Sequence, residues 1–148
     1  MPTRPVVTVG LHVLAPEVSL PAYQSAGAAA VDLAAAATVV VPPGGLAMIP
    51  TGLVFAVPAG YFLAIVARSS LPKRGLIVAN GLGVLDSDYR GPDDEARVLV
   101  HNYTDAPVTV TAGDRIAQAF VLGVPEVRFE AFRPEEGTTR GGFGSTGQ

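Results

Sequence analysis

Short apolar runs separated by proline and glycine are the feature of this sequence that most restricts its fold. The chain of 148 residues has 13 prolines and 17 glycines, with clear turn signals at residues 42–45, 58–60 and 112–114. The runs between such signals are short and rich in valine, which fits strands better than helices. Many short strands joined by tight turns are typical of sandwiches and jelly-roll barrels. We therefore predict an all-β, jelly-roll-like barrel.

The predicted strands share a high content of β-branched and other apolar residues. They are Val6–Leu14, Thr38–Val41, Leu46–Ile49, Gly52–Val57, Tyr61–Ala67, Ala96–Asn102, Pro107–Thr111 and Arg115–Leu122. For the alanine-rich stretch 26–37 we favour a loop and a short strand over a helix, because Gly27 and Val31 interrupt it. The segment Ser69–Gly75 has a serine N-cap, a proline in its first turn and a glycine at its end. It is either a short helix whose first N–H groups, beside Arg68, would form an anion site, or an ordinary capped turn, which we favour.

Composition limits the class of protein. Hydrophobic residues make up 49% of the chain and charged residues 16%, which indicates one folded domain with surface buried between subunits. There is no cysteine, and the two histidines, His12 and His101, are expected to be structural. No apolar run approaches the roughly 20 residues of a membrane helix, and the first residues lack a signal-peptide pattern. We expect a cytoplasmic chain with no membrane partner.

The charge distribution favours a small anionic ligand. The formal net charge is −3, which argues against a nucleic-acid partner. Six of the ten basic residues nevertheless lie in turn-like segments that contain glycine, serine or aspartate. They are Arg68, Lys73, Arg74, Arg90, Arg115 and Arg140.

The C-terminal segment Gly137–Gln148 combines five glycines with polar and aromatic groups that suit a nucleotide. Arg140 can donate two hydrogen bonds to phosphate oxygens, and Phe143 offers a flat face for a base. Glycine N–H groups and the hydroxyls of Ser145 and Thr146 can surround an anion. The segment is either an arm that closes over a nucleotide or a disordered glycine-rich tail.

The segment Asn80–Gly91 carries the candidate catalytic group. An apolar run ends at Asp86, whose carboxylate could take a proton from water. Tyr89 could pack on a sugar, and the Asn80 amide offers a donor and an acceptor to a pyrimidine edge. The alternative is that Asp86–Asp88 forms only a polar hairpin turn.

Five segments, in this order, resemble the motifs of the trimeric dUTP diphosphatase (dUTPase) family. They are Gly27–Leu33, Ala67–Leu71 with Lys73–Gly75, Asn80–Gly91, Gly113–Gln118 and Arg140–Gly147. The resemblance implies the β-clip form of the jelly roll, with a barrel domain at residues 1–133. Residues 134–148 would be a flexible arm that closes over the active site of a neighbouring subunit in a homotrimer.

The resemblance also implies a reaction, in which dUTP is hydrolysed to dUMP and pyrophosphate with Mg²⁺. Asp86 would activate the attacking water, and Asp32 would contact the magnesium ion through water. Tyr89 would exclude a ribose 2′-hydroxyl, while Asn80 and nearby backbone, including Gly83, would read uracil. The residues implied to bind the phosphates from the barrel are Arg68, Ser69, Ser70 and Gln118. In the arm, Phe143 would stack on uracil, and the residues implied to surround the terminal phosphate are Arg140, Gly144, Ser145 and Thr146.

Two departures from the family pattern stand out. Residues 28–31 read Ala-Ala-Ala-Val where the family usually has Ser-Ala-Gly-Tyr, and residues 92–94, Pro-Asp-Asp, form a short insertion. The insertion is either a solvated turn or an element that affects how metal or phosphate approaches.

Two other functions compete. A dCTP deaminase shares the fold, but its glutamate three residues before an asparagine corresponds here to Leu99. A non-catalytic nucleotide- or RNA-binding regulatory module would explain the Arg-Gly-Gly-Phe-Gly tail, although that repeat occurs once.

Overall fold

The computed structural model describes residues 3–144 and 147, and within them almost all regular structure is β. The strands are β1 (Gly10–Val13), β2 (Val31–Ala34), β3 (Val39–Val41), β4 (Leu46–Pro50), β5 (Leu53–Ala56), β6 (Tyr61–Ala67), β7 (Leu76–Val78), β8 (Gly83–Leu85), β9 (Arg97–Asn102), β10 (Val108–Val110) and β11 (Arg115–Gly123). The helical content of these residues is one 3-10 turn, Pro72–Arg74, so no helix there could cross a bilayer.

The strands pair antiparallel in four small sheets. Their orders are β2-β11-β6-β8, β4-β9-β7, β1-β5 and β10-β3. The all-β, jelly-roll-like prediction is confirmed, although the described strands form separate sheets and not one closed barrel. The loop and short strand expected in residues 26–37 are present as a turn followed by β2, whereas β7 was not predicted.

One apolar cluster joins the sheets. Strands from each sheet contribute side chains with little or no exposed surface, including Leu33, Val41, Ile49, Phe55, Val98 and Ile116. Burying an aliphatic side chain of this size contributes about 1.5–3 kcal/mol. The cluster therefore fixes the strands from which the polar residues of the candidate site project.

Asn102 is the one fully buried polar side chain of β9, and its amide is completely bonded within the described residues. Its Nδ2 donates to the carbonyls of Val41 at 3.1 Å and Ala106 at 2.7 Å. Its Oδ1 accepts from the Thr104 N–H at 2.9 Å and from the Thr104 hydroxyl at 2.7 Å. Because every amide group has a partner, Asn102 ties β9 to β3 and to the following turn.

The segment Ser69–Gly75 adopts turns, the favoured alternative, and its helical part is limited to the 3-10 turn Pro72–Arg74. Leu71, only 1% exposed, packs in the apolar cluster and precedes the 3-10 turn, which has no side-chain cap. Its N–H donates to the Arg68 carbonyl at 3.0 Å, so the chain makes two successive turns instead of a helix. Gly75 ends the turn with a φ of 84°, as expected for a glycine stop. A turn this short provides no helix N-terminus for an anion.

Regular structure ends at Gly123 in the described residues. The segment that follows presents Phe129 at 92% exposure and Phe132 at 82%. The boundary placed between residues 133 and 134 stays a prediction, because no strand or helix of the described residues marks it.

Candidate active site

Strand β8 forms a wall of a cavity of about 200 Å³, which we call the β8 cavity. Asn80, Gly83 and Tyr89, three of the predicted nucleotide contacts, line this cavity together with Ile65 and Glu95. Strand β8 is held in place by antiparallel pairing with β6, where Gly83 lies opposite Ile65. The fold therefore brings the predicted base and sugar contacts to one surface.

Gly83 keeps the floor of the β8 cavity open. A Cβ atom at this position would lie 3.3 Å from Cβ of Ile65 and 3.7 Å from Nδ2 of Asn80. The first distance is tighter than most real Cβ contacts, so a side chain would crowd β6 and occupy space beside the asparagine amide. The contribution of Gly83 is thus an accessible backbone.

Asp86 directly follows β8 and is exposed. The Tyr89 N–H donates to the Asp86 carbonyl at 3.2 Å, which closes a turn between the two residues. The turn holds the candidate general base and the candidate sugar contact at the same end of β8. Leu85, the residue before Asp86, lines the β8 cavity.

A second group of polar side chains surrounds Asp32 on β2, and we call it the Asp32 cluster: Asp32, Arg68, Arg115 and Gln24. Oδ1 of Asp32 lies 3.2 Å from Nε of Arg68, and Oδ2 lies 3.2 Å from a terminal nitrogen of Arg115. That nitrogen of Arg115 also donates to Oε1 of Gln24 at 2.5 Å, and Arg68 donates to the Arg115 carbonyl at 3.1 Å. Two guanidinium groups share one carboxylate, which leaves a net positive charge suited to an anion.

Gln118 lies beside the Asp32 cluster. It is opposite Asp32 in the β2–β11 register, and its Nε2 donates to the Ala67 carbonyl at 3.1 Å. Asp32 and Gln118 line a second cavity, of about 350 Å³, with the alanines at residues 28–30. The departure from the family pattern in residues 28–31 thus forms an apolar wall next to the predicted phosphate contacts.

Asp32 and Asp86 lie at opposite edges of one sheet. In the order β2-β11-β6-β8, Asp32 is on the edge strand β2, and Asp86 follows the other edge strand, β8. Strands β11 and β6 separate them. Within one chain, the candidate base and the carboxylate of the Asp32 cluster are therefore on different sides of the sheet.

The remaining predicted contacts lie outside both cavities. Ser69 and Ser70 are exposed in the turn after β6, next to Arg68. In the arm, Arg140, Phe143 and Gly144 are exposed, while the predicted Ser145 and Thr146 lie outside the described residues. Neither cavity is lined by a described residue beyond position 133.

Three residues that organise these surfaces were not among the predicted site residues, although Arg115 was one of the basic residues taken to favour an anion. Gln24 and Arg115 complete the Asp32 cluster, and the Glu95 side chain, 11% exposed, contributes to the β8 cavity. Arg115 had a signal in the Gly-Asp-Arg turn before β11. Gln24 had no such signal, because its contact partner, Arg115, is 91 positions away in the sequence.

One ionisable group near the site has a clearly shifted pKa. The pKa of Asp114 is lowered from its usual value, mainly by the Thr111 N–H, which donates to Oδ2 at 2.9 Å. The Arg74 guanidinium, 2.7 Å from the same oxygen, lowers the pKa further. Asp114 thereby joins the turn before β11 to the 3-10 turn after β6, both of which flank the Asp32 cluster.

These features define a class of protein. An all-β framework with a small cavity beside an exposed carboxylate, and a separate surface with two arginines, suits an enzyme that hydrolyses a small anionic substrate such as a nucleotide.

Comparison with known proteins identifies the family. The family model described as dUTPase matches residues 16–147, and the chain belongs to the dUTPase family. The deoxyuridine 5′-triphosphate nucleotidohydrolase of Wolinella succinogenes is 44% identical over 138 residues, 91% of each chain. These matches confirm the resemblance found in the sequence motifs.

Solved structures agree with this assignment. A dUTPase from Streptococcus mutans, 29% identical, aligns with a TM-score of 0.76 over 81% of this chain and 99% of that one. The dUTPase of Staphylococcus bacteriophage 80alpha, solved with dUPNHPP, is 21% identical and has a TM-score of 0.82 over 95% of this chain and 99% of that one. The latter likeness supports the fold.

Proposed function

We propose that this enzyme hydrolyses dUTP to dUMP and pyrophosphate. The observation that carries the proposal is the β8 cavity, where Asn80, Gly83 and Tyr89 meet beside the turn that begins at Asp86. The reaction would limit incorporation of uracil into DNA and supply dUMP for synthesis of dTMP.

Uracil and deoxyribose would occupy the β8 cavity. The Asn80 amide, with one donor group and one acceptor, and the open backbone at Gly83 match the alternating donors and acceptors of a uracil edge. The Tyr89 ring would pack against deoxyribose and leave no room for a 2′-hydroxyl. Selection would thus combine hydrogen bonds to the base with steric exclusion at the sugar.

Asp86 would act as general base. Its carboxylate accepts a proton from water as the water oxygen attacks the α-phosphorus. The new bond joins that oxygen to the α-phosphorus, and the bond from the α-phosphorus to the bridging oxygen breaks. Pyrophosphate leaves with the bridging oxygen. Phosphate contacts would come from Arg68, Ser69, Ser70 and Gln118, because phosphoryl transfer depends mainly on positioning and charge stabilisation.

Magnesium fits the residues of this chain. The described residues contain no group of three histidine, cysteine, aspartate or glutamate side chains arranged to hold a metal ion. Magnesium does not need such a group, because it keeps several waters and binds substrate phosphates. Both oxygens of Asp32 already pair with arginines, so Asp32 would contact the ion through its water shell. The bound ion would offset the negative charge of the triphosphate.

A homotrimer would complete the site. Because Asp86 and Asp32 lie at opposite sheet edges, the β8 cavity of one subunit would face the Asp32 cluster of its neighbour. The arm would come from a further subunit, with Phe143 on uracil and Arg140, Gly144, Ser145 and Thr146 around the terminal phosphate. The complete exposure of Phe143 in the protomer supports this assignment.

The test is pyrophosphate release with magnesium from dUTP, dTTP, dCTP and UTP assayed in parallel. Selective turnover of dUTP is the expected result. Turnover of every nucleotide would replace the proposal with a relaxed pyrophosphatase. Release of ammonia from dCTP would favour a deaminase, and tight, salt-sensitive binding of single-stranded RNA without turnover would favour a binding module.

A further inference from the structure

We infer that Asp94, in the short insertion at residues 92–94, is a positioning residue that sets discrimination between deoxyribose and ribose. It acts through Tyr89, the residue proposed to pack against the sugar. The inference rests on the proposed function, and it assigns the insertion a part in substrate selection.

The Tyr89 ring is held by its hydroxyl. The residue is 39% exposed, so packing restrains the ring on one side only. The hydroxyl donates to the backbone carbonyl of Glu95 at 3.1 Å, which closes a loop from residue 89 to residue 95. The ring is therefore held at two ends, by this hydroxyl bond and by the backbone of Tyr89.

The far end of this loop is anchored to the core. Oε1 of Glu95 accepts from the Gly52 N–H at 2.8 Å, and Oε2 accepts from Nε of Arg97 at 3.0 Å. The next residue, Ala96, is fully buried, and its N–H donates to the Leu53 carbonyl at 2.8 Å. The Glu95 end of the loop is fixed independently of Tyr89.

Asp94 fixes the rest of the loop. Its Oδ2 accepts from the Gly91 N–H at 2.7 Å, and its own N–H donates to the Gly91 carbonyl at 3.1 Å. Both backbone groups of Gly91 are thus bonded to one residue, and one of these bonds is charge-assisted. Asp93, beside it, is exposed. Loss of the Asp94 carboxylate would loosen the backbone at Gly91, two residues after Tyr89, and so the backbone end of the Tyr89 ring, while the Glu95 end stays anchored to the core.

The test compares kcat/KM for dUTP with kcat/KM for UTP in a matched set of variants. Asp94→Ala and Tyr89→Phe should each lower this ratio by about 3- to 10-fold, the factor expected from one modest hydrogen bond. Asp94→Asn should keep the ratio, because its amide oxygen can accept the same N–H. Asp93→Ala is the control for loss of one nearby charge. The double variant Asp94→Ala/Tyr89→Phe should discriminate dUTP from UTP about as well as the less selective of the two single variants, because both substitutions act on the same ring.

The outcomes separate the inference from the function on which it rests. An unchanged ratio in Asp94→Ala or Tyr89→Phe, with normal dUTP turnover, overturns the inference and leaves the proposed function standing. A lower melting temperature without a change in ratio assigns Asp94 a purely structural role. If the unaltered enzyme releases no pyrophosphate from dUTP, the proposed function fails and the inference fails with it.

Discussion

Mixed oligomers of two variants that are each inactive alone should regain part of the dUTP-hydrolysing activity. One carries Asp86→Asn, which removes the proposed base beside β8. The other carries Arg68→Ala and Gln118→Ala, which remove two of the proposed phosphate contacts, in and beside the Asp32 cluster. The first variant alters only the proposed base beside the β8 cavity, and the second alters only the proposed phosphate contacts.

The expected recovery of activity follows from random assembly of the two variants. Three strand spacings put the edge strands roughly 14 Å apart, with β11 and β6 between them. If an active site takes Asp86 from one subunit and the phosphate contacts from another, random assembly of an equal mixture leaves about one quarter of the sites intact. If one subunit supplied both, no site in the mixture would be intact.

The assay is pyrophosphate release from dUTP after the two purified variants are unfolded together and refolded. We expect about one quarter of the wild-type rate per site, against the background of each variant refolded alone. Wild-type enzyme refolded with an equal amount of the Asp86→Asn variant is the control, and about half of its sites should work. A mixture no more active than its separate components, with trimer size verified by light scattering, would refute the shared-site argument.

Three further predictions concern single residues. Asp86→Asn alone should retain dUTP binding measured by calorimetry and lower kcat by about 10²- to 10⁴-fold, and an unchanged kcat would remove the base assignment. Phe143→Ala should weaken nucleotide binding by about 1–3 kcal/mol through lost stacking; equal affinity in the two proteins would place the base elsewhere. Asp114→Asn should lower the urea midpoint at neutral pH. The pKa of Asp114 is depressed in the folded state. The contribution of its carboxylate to folding stability is therefore fully present above the unfolded-state pKa of about 4 and is lost as the pH falls through the folded-state pKa. The urea midpoints of the two proteins should accordingly converge in acid.

Much of the fold could be predicted because strand formation here depends on local pattern. Tyr61–Ala67 was predicted with the bounds that β6 has, since an apolar run lies between two clear turn signals. At Ser69–Gly75 the capping pattern fits both a helix and a turn, and the chain forms turns that bury Leu71. Strand β7 was missed because three residues carry too little periodicity to distinguish a strand from a turn.

The candidate site was predictable in its residues but not in its contacts. The motifs identified Asp32 and Arg68, yet no local pattern indicates that Asp32 also pairs with Arg115, 83 positions away. The Tyr89 hydroxyl bond to Glu95 depends on how the insertion turns, which the sequence alone left open. Contacts of this kind are set by the packing of strands distant in sequence.

The exposed aromatic residues after β11 have a consequence for how the protein behaves at low abundance. Burying Phe129 and Phe132 between chains would add about 3–6 kcal/mol per chain, comparable to the whole stability of a small domain. By mass action, the melting temperature would then rise with protein concentration. A cell making few copies would hold a larger share of unassembled chains, which are the ones open to proteases.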